Sequence, residues 1–90
     1  MGDLTSLPNI GDVLAALLGA AGIQSPGELK RAGSVGAALR IAAVGERPCA
    51  SKLFALEGAI RGVRWHSIPK NERAVLWAKF KRALGDAHER

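Results

Sequence analysis

Ninety residues with 48% hydrophobic content make one small folded domain spanning 1–90 and exclude a disordered chain; such a length buries roughly 60–65% of the surface exposed on unfolding, enough for a modest core. A single cysteine, Cys49, excludes an internal disulfide framework, and no metal-ligand spacing surrounds it, so a reducing, cytoplasmic setting is expected. The formal net charge of +5 is uneven: residues 1–29 sum to −3 and residues 30–90 to +8, a balance that suits nucleic acid or an acidic protein, although interleaved glutamates make a solvated helix surface the simpler expectation.

With two Trp, two Phe and no Tyr, the core must rest on Leu, Ile, Val and Ala. Alanine loses no side-chain entropy in a helix, so an Ala-rich chain poor in β-branched residues favours an all-α fold. Asp3 is placed to cap a first short helix over Leu4 to Leu7. Pro8, Asn9, Ile10 and Gly11 form a tight turn, since Asn and Gly tolerate left-handed backbone. A second helix is expected from about Gly11 to Ala21, with Asp12 in its first turn complementing the helix dipole. Leu14, Leu17, Leu18 and Ala21 repeat at helical spacing on its buried face, and Gly22 suits its end. The longest apolar run, Val13 to Ile23, is too short to span a bilayer, and no basic residue precedes it, so neither a membrane segment nor a signal peptide is expected.

Ser25-Pro26-Gly27-Glu28 reads as a capping box with proline at the first helical position. It opens a short third helix ending near Gly33. Ser34 then caps a fourth, running to about Val44 and stopped by Gly45, with Val35, Ala38, Leu39 and Ala42 as its apolar stripe. The fifth segment, Pro48 to Arg61, carries Cys49, Leu53, Leu56 and Ile60 on one face, which predicts a buried thiol. Glu57 and Arg61 stand four apart and support an ion pair. Gly58 inside that helix costs about 1 kcal/mol against alanine, which predicts a close backbone approach. Gly62 breaks the helix. After Val63-Arg64-Trp65-His66, Ser67 and Pro69 open a last helix with Leu76, Trp77, Phe80 and Leu84 on its inner face and Lys79 and Arg82 pointing away. Gly85 is expected to end it, leaving Asp86 to Arg90 as a frayed tail. About five short helices in a compact bundle result, with the core over about 4–84.

Two helices joined by Leu-Pro-Asn-Ile-Gly resemble a helix-hairpin-helix, in which hairpin amides and a helix start face a phosphate. Asn9 occupies the first glycine position, and Asp12 follows Gly11, where a phosphate-binding hairpin favours a basic residue. With no basic residue near in sequence, the term that dominates DNA affinity is missing at this hairpin, and a packing role is expected. The wider pattern is more specific. "LPNIGDVLAALLGAAGI", "SPGELKRAGSVGAALRI" and "LFALEGAIRGVRWHSIP", in that order, resemble the C-terminal domain of the TfoX (Sxy) competence regulators; Leu53 to Pro69 carries the most telling part. The resemblance implies an all-helical, helix-hairpin-helix or SAM-like domain from a bacterial protein linked to control of natural-transformation genes. In two-domain members an α/β domain precedes this one, so the chain is expected to be the C-terminal module alone. No catalytic or ligand residue is carried over by the resemblance.

An enzyme is not expected. His88 lies in the tail, His66 beside Trp65 in a turn, and Asp12, Glu28 and Glu57 show no pairing suited to acid–base work. No cofactor, metal site or small-molecule substrate is expected. Glu57, Arg61, Arg64 and Trp65 are expected to meet where the fifth and last helices join, most simply as an ion pair under a Trp lid. The expected function is a non-enzymatic interaction module that presents helix surfaces to a partner protein or a second copy. Its surface is assigned to Arg61, Arg64 and Trp65 in the turn and to Lys79, Lys81 and Arg82 on the last helix. The alternative is sequence-nonspecific DNA binding, which requires Lys79, Lys81 and Arg82 to join Lys30 and Arg31 in one patch.

Overall fold

Asp3 sets the first ordered turn: its carboxylate accepts from the Thr5 amide at 3.1 Å, and a 3₁₀ turn follows over Leu4–Ser6. The computed structural model describes residues 3–45 and 49–88, with side chains through Gly85. Helix α1 runs over Asp12–Ala20 with Asp12 in its first turn. It ends where Gly22 turns left-handed at φ 86°. There Ile23 N–H donates to Leu18 O at 2.8 Å and Gly22 N–H to Gly19 O at 3.0 Å, the paired bonds of a Schellman cap, which satisfy carbonyls the helix would otherwise leave open.

Helix α2 covers Pro26–Ala43, opened by Ser25, whose hydroxyl accepts from the Glu28 amide at 3.2 Å. The reciprocal bond falls one residue earlier than a capping box predicts: Glu28 accepts from the Gln24 amide at 2.8 Å. Gly33, at φ 76° and ψ 164°, interrupts α2. That conformation is open to glycine and strained for other residues. The two segments expected on either side of Gly33 are therefore present, joined end to end across a break. Counting them separately gives five α-helical segments among the described residues, and the 3₁₀ turn over Leu4–Ser6 stands where a first short helix was expected. Helix α3 spans Ala50–Arg61 and stops at left-handed Gly62. A 3₁₀ turn over Trp65–Ser67 leads to α4, Lys70–His88. No strand occurs among the described residues, and none of their helices is long and apolar enough to cross a membrane.

The chain is an all-α bundle with α3 at its centre, packed most extensively on α2 and also on α4 and the Trp65–Ser67 turn. Leu18, Ile23, Leu29, Ile41, Leu53, Leu56, Ile68 and Phe80 are its largest fully buried side chains. Phe80 fills the core while Trp77, stacked on it at 5.7 Å, stays half-buried at the edge. Burying eight such side chains is the main driving force for a domain of this size.

Four local expectations are corrected. The buried line of α2 after the break is Ser34, Ala37, Ala38 and Ile41, while Val35, Leu39 and Ala42 are half-buried. The small Ala37 and Ala38 let α2 lie close against α3, and that contact sets the helix rotation. Ser34 sends its hydroxyl to Glu57 at 2.6 Å. Cys49 is exposed at the N-cap of α3, where the chain has already left the helical row that buries Leu53 and Leu56. Gly85 does not end α4; the helix continues to His88. Core packing upstream orders α4 strongly enough to carry one glycine, a cost of about 1 kcal/mol. Pro48, the expected start of the fifth segment, lies outside the described residues, as do Glu89 and Arg90 of the tail.

Candidate interaction site

The hairpin turn is built around one side chain. Asn9 sits at φ 70°, the single positive φ among non-glycine described residues, a conformation asparagine tolerates better than most residues. Its amide donates to Val63 O at 2.9 Å and to Ala55 O at 3.5 Å, and its oxygen accepts from the Trp65 amide at 3.2 Å. Asn9 thereby ties the hairpin to the end of α3 and to the turn after it. Gly58 makes the approach possible. A Cβ there would stand 2.5 Å from Asn9 Nδ2, 2.7 Å from Val63 O and 3.2 Å from Trp65 Cα. The close approach predicted from a glycine in mid-helix is this junction. Ile10 is buried in the core and Pro8 is half-buried, whereas Gly11 is exposed, with an ordinary extended backbone at φ −97°. Asn9, the hairpin's most versatile polar group, is thus occupied within the fold.

Beside this junction lies an open groove of about 530 Å³, walled by the start of α1, the first turns of α3 and the Arg64–His66 segment. Its surface is largely apolar, with Val13, Leu14, Ala55 and Trp65 among the residues that line it. Val13 is 74% exposed, so a branched aliphatic side chain stands open to water at the groove. Trp65 is held by a stack of partners. Phe54 lies at 6.0 Å, His66 at 4.0 Å and the Arg73 guanidinium at 5.3 Å from its ring centre. The Arg73 side chain also lies 5.8 Å from Phe54. Its buried Nε has no hydrogen-bond partner, so the aromatic faces are its main company.

The groove also carries charge. Lys52 and Arg64 line it with Asp12. Sequence order puts no cation near the hairpin; the fold brings these two from α3 and from the following turn. Arg64 is exposed and has no ion-pair partner among the described residues.

Glu57 and Arg61 lie elsewhere. A second groove, of about 410 Å³, has them on its wall with Glu72, Leu76 and Lys79. Glu57 accepts from Ser34 Oγ at 2.6 Å and from Arg61 Nε at 2.7 Å, and Arg61 Nη1 reaches Glu72 at 2.7 Å. The chain of contacts links α2, α3 and α4. Partial burial pushes the Glu57 carboxyl up, but the Ser34 hydroxyl and the Arg61 guanidinium outweigh it and hold its pKa below the ordinary value. Arg61 is raised in turn, first by its hydrogen bond to Glu57 and then by Glu72.

The structure therefore splits the expected cluster. Arg64 and Trp65 face the hairpin groove; Arg61 belongs to an ionic relay on another side, with no Trp lid. The expected basic face of α4 is also divided. Lys79, Lys81 and Arg82 are all exposed, but Lys81 lies about 200° around the helix from Lys79. Lys81 reaches over Trp77 at 5.7 Å, while Lys79 sits beside Glu57 and Glu72. Lys30 and Arg31 are exposed on the first part of α2. Sequence reasoning missed Val13, Lys52, Phe54 and Glu72. Val13 was legible as the residue of α1 falling off the Leu14–Leu18 row. The others meet through the tertiary fold and leave no spacing signal.

No group of three or more His, Cys, Asp or Glu side chains placed to hold a metal occurs among the described residues. His66 is exposed and stacked on Trp65.

No functionally curated protein matches the chain. Solved structures do. A crystal structure of an uncharacterized protein from Listeria monocytogenes, in a triclinic form, is 43% identical, with a TM-score of 0.84 over 92% of this chain and 94% of that one. A tetragonal form of a Listeria monocytogenes protein of unknown function is 46% identical, with a TM-score of 0.80 over 89% of this chain and 98% of that one. The sequence profile of the TfoX C-terminal domain matches residues 1–80. That match takes in the hairpin, the Asn9–Gly58 junction and the groove beside them: the chain belongs to the TfoX C-terminal domain family.

Proposed function

We propose that this domain is a non-enzymatic regulatory module of the competence-regulator type that works by binding a partner protein in the groove between the hairpin and the Arg64–His66 turn. The observation that carries this reading is Val13, 74% exposed beside Trp65 on an apolar surface. Isolated exposed aliphatics are common, but one set in a groove with an aromatic wall is the usual anatomy of a binding surface. The groove is also rigid, since Asn9 and the Phe54–Trp65–Arg73 stack fix its walls before any partner arrives. A surface already in its binding shape loses less entropy on association. Family membership supports a regulatory role linked to natural-transformation genes.

The test is genetic. Deleting the gene should change transcript levels of the host's DNA-uptake genes. Wild-type protein should restore them, and a folded Val13→Asp variant should not. Unchanged transcripts on deletion would reject the regulatory reading.

A second reading is sequence-nonspecific DNA binding, favoured by the placement of Lys52 and Arg64 beside the hairpin. Fluorescence anisotropy with a labelled duplex at two salt concentrations tests it, on wild type and on a Lys79/Lys81/Arg82 triple alanine variant. Binding that weakens steeply with salt supports DNA as a ligand. Loss in the triple variant would put the contact on α4 rather than on the hairpin groove.

A further inference from the structure

We infer that the partner at the hairpin groove is a second copy of this chain, held as a two-fold dimer in which the Asp12–Val13 wall of each copy meets the Arg64–Trp65 wall of the other. The inference rests on the partner-binding reading and names the partner.

Charge balance points to self-association. Asp12 and Arg64 line the same groove, both exposed. Neither has an ion-pair partner among the described residues, and they are not paired with each other. Lys52, the groove's other cation, is already engaged within the chain. The groove therefore offers one free charge of each sign, one on each wall. A two-fold axis lying in the contact plane between the walls sets each free charge against its opposite in the other copy, and does so twice. The rest of the surface disfavours such pairing. The chain carries a net charge of +5, and the exposed Lys79, Lys81 and Arg82 of α4 would set like charge against like.

The apolar groups follow the same symmetry. Val13 adjoins Asp12 on one wall, and Trp65 adjoins Arg64 on the other. The axis that pairs the charges therefore lays Val13 of each copy on Trp65 of its mate. Val13 is 74% exposed, so its side chain is free to enter the second copy's groove, whose volume of about 530 Å³ exceeds one side chain. Helix α1 extends this contact without adding charge. No charged residue occurs between Asp12 and Glu28; Ala16 and Ala20 are exposed along α1, and Leu17 is half-buried. A helix apolar on all sides belongs in an interior, yet α1 packs chiefly against α2 and the Leu4–Ser6 turn. One groove and one face of a nine-residue helix make a small interface, and small interfaces are weak and reversible.

Sedimentation equilibrium on the full chain, up to about 500 μM, tests this. Wild type is expected to show a monomer–dimer equilibrium with a Kd of about 10–100 μM. Val13→Asp, Asp12→Arg and Arg64→Asp should each weaken it by about tenfold or more, with thermal melts confirming that each variant is folded. An equimolar mixture of the Asp12→Arg and Arg64→Asp variants should regain dimerisation to within about threefold of wild type, because both contacts of the mixed pair join opposite charges. Structural damage in either variant is not repaired by mixing. The Lys79/Lys81/Arg82 triple alanine variant should dimerise at least as well as wild type, since it removes like charge and touches no contact. A wild type that stays monomeric at about 500 μM overturns the inference. A dimer that all three groove substitutions leave intact overturns it, and so does a mixture that stays monomeric. A monomer that binds a labelled duplex, with binding lost in Val13→Asp, assigns the groove to nucleic acid and overturns it too. If the wild type is monomeric and Val13→Asp still abolishes gene control, the groove takes a different protein and the partner-binding reading stands. If Val13→Asp breaks the dimer and leaves gene control intact, the dimer stands and the regulatory reading fails.

Discussion

The two flanks of α3 are fastened by different physics. Toward the hairpin, a neutral amide, Asn9, exchanges hydrogen bonds with backbone groups at three positions, across a gap that only glycine leaves open. Toward α4, a charged relay runs from Ser34 through Glu57 and Arg61 to Glu72. The first depends on shape and is insensitive to salt and proton concentration. The second depends on ionisation and is partly exposed. The groove proposed for partner binding adjoins the first flank, so its walls stand on the fastening that solution conditions disturb least.

Gly58→Ala should break the contrast most directly. Its new methyl group meets Asn9 and the Val63 carbonyl at distances no Cβ tolerates, and moving Asn9 away also sacrifices its hydrogen bonds. A loss of about 3 to 4 kcal/mol is expected despite the gain in helix propensity, read from urea unfolding. Asn9→Ala should follow at about 3 kcal/mol, combining the lost bonds with the strain of a left-handed alanine. Asn9→Gly relieves the strain but not the lost bonds and should cost about 1 kcal/mol less. A difference of that sign separates the two roles of this residue.

On the other flank Glu57→Gln should cost about 0.5–1 kcal/mol, since the Arg61 partner is more than one-third exposed and screened by solvent. The effect should shrink in high salt, while that of Asn9→Ala does not. Acid sharpens the comparison. The pKa of Glu57 is lower in the folded state than the ordinary 4.5, so its carboxylate contributes fully above the unfolded value. The contribution fades as pH falls through the folded value. Unfolding measured between pH 6 and pH 3 should therefore lose a Glu57-dependent increment in the wild type, and that increment should be absent in Glu57→Gln. The smallest change is expected at Gly85, inside α4 with nothing within 4 Å of a new Cβ. Gly85→Ala should raise stability by about 0.5–1 kcal/mol, the reverse of the effect at Gly58.

Much of the fold was legible because its signals are local. Asp3, Ser25 and Pro26 announce helix starts, Gly22, Gly45 and Gly62 announce stops, and each acts within a few residues of itself. Gly58 announced a close approach, but its partner, 49 positions away in Asn9, carried no mark beyond being a turn residue. Ser34 was read by its local propensity as a cap, while the fold uses its hydroxyl across helices. Cys49 was read by periodicity, which fails at a helix boundary. The groove was the least legible part. Asp12, Lys52 and Arg64 come from three separate stretches, and a net-charge profile along the chain assigns them to opposite halves.

Asn9 reaches partners 46, 54 and 56 residues away, which bears on how fast the domain forms and opens. Those bonds require closure of more than half the chain, so they suit the late stages of folding, after α2 and α3 have paired. Interactions absent from the transition state act on the escape rate from the native state. Substitutions at Asn9 and Gly58 should thus accelerate unfolding while barely slowing refolding, which makes the hairpin a kinetic latch on the native domain.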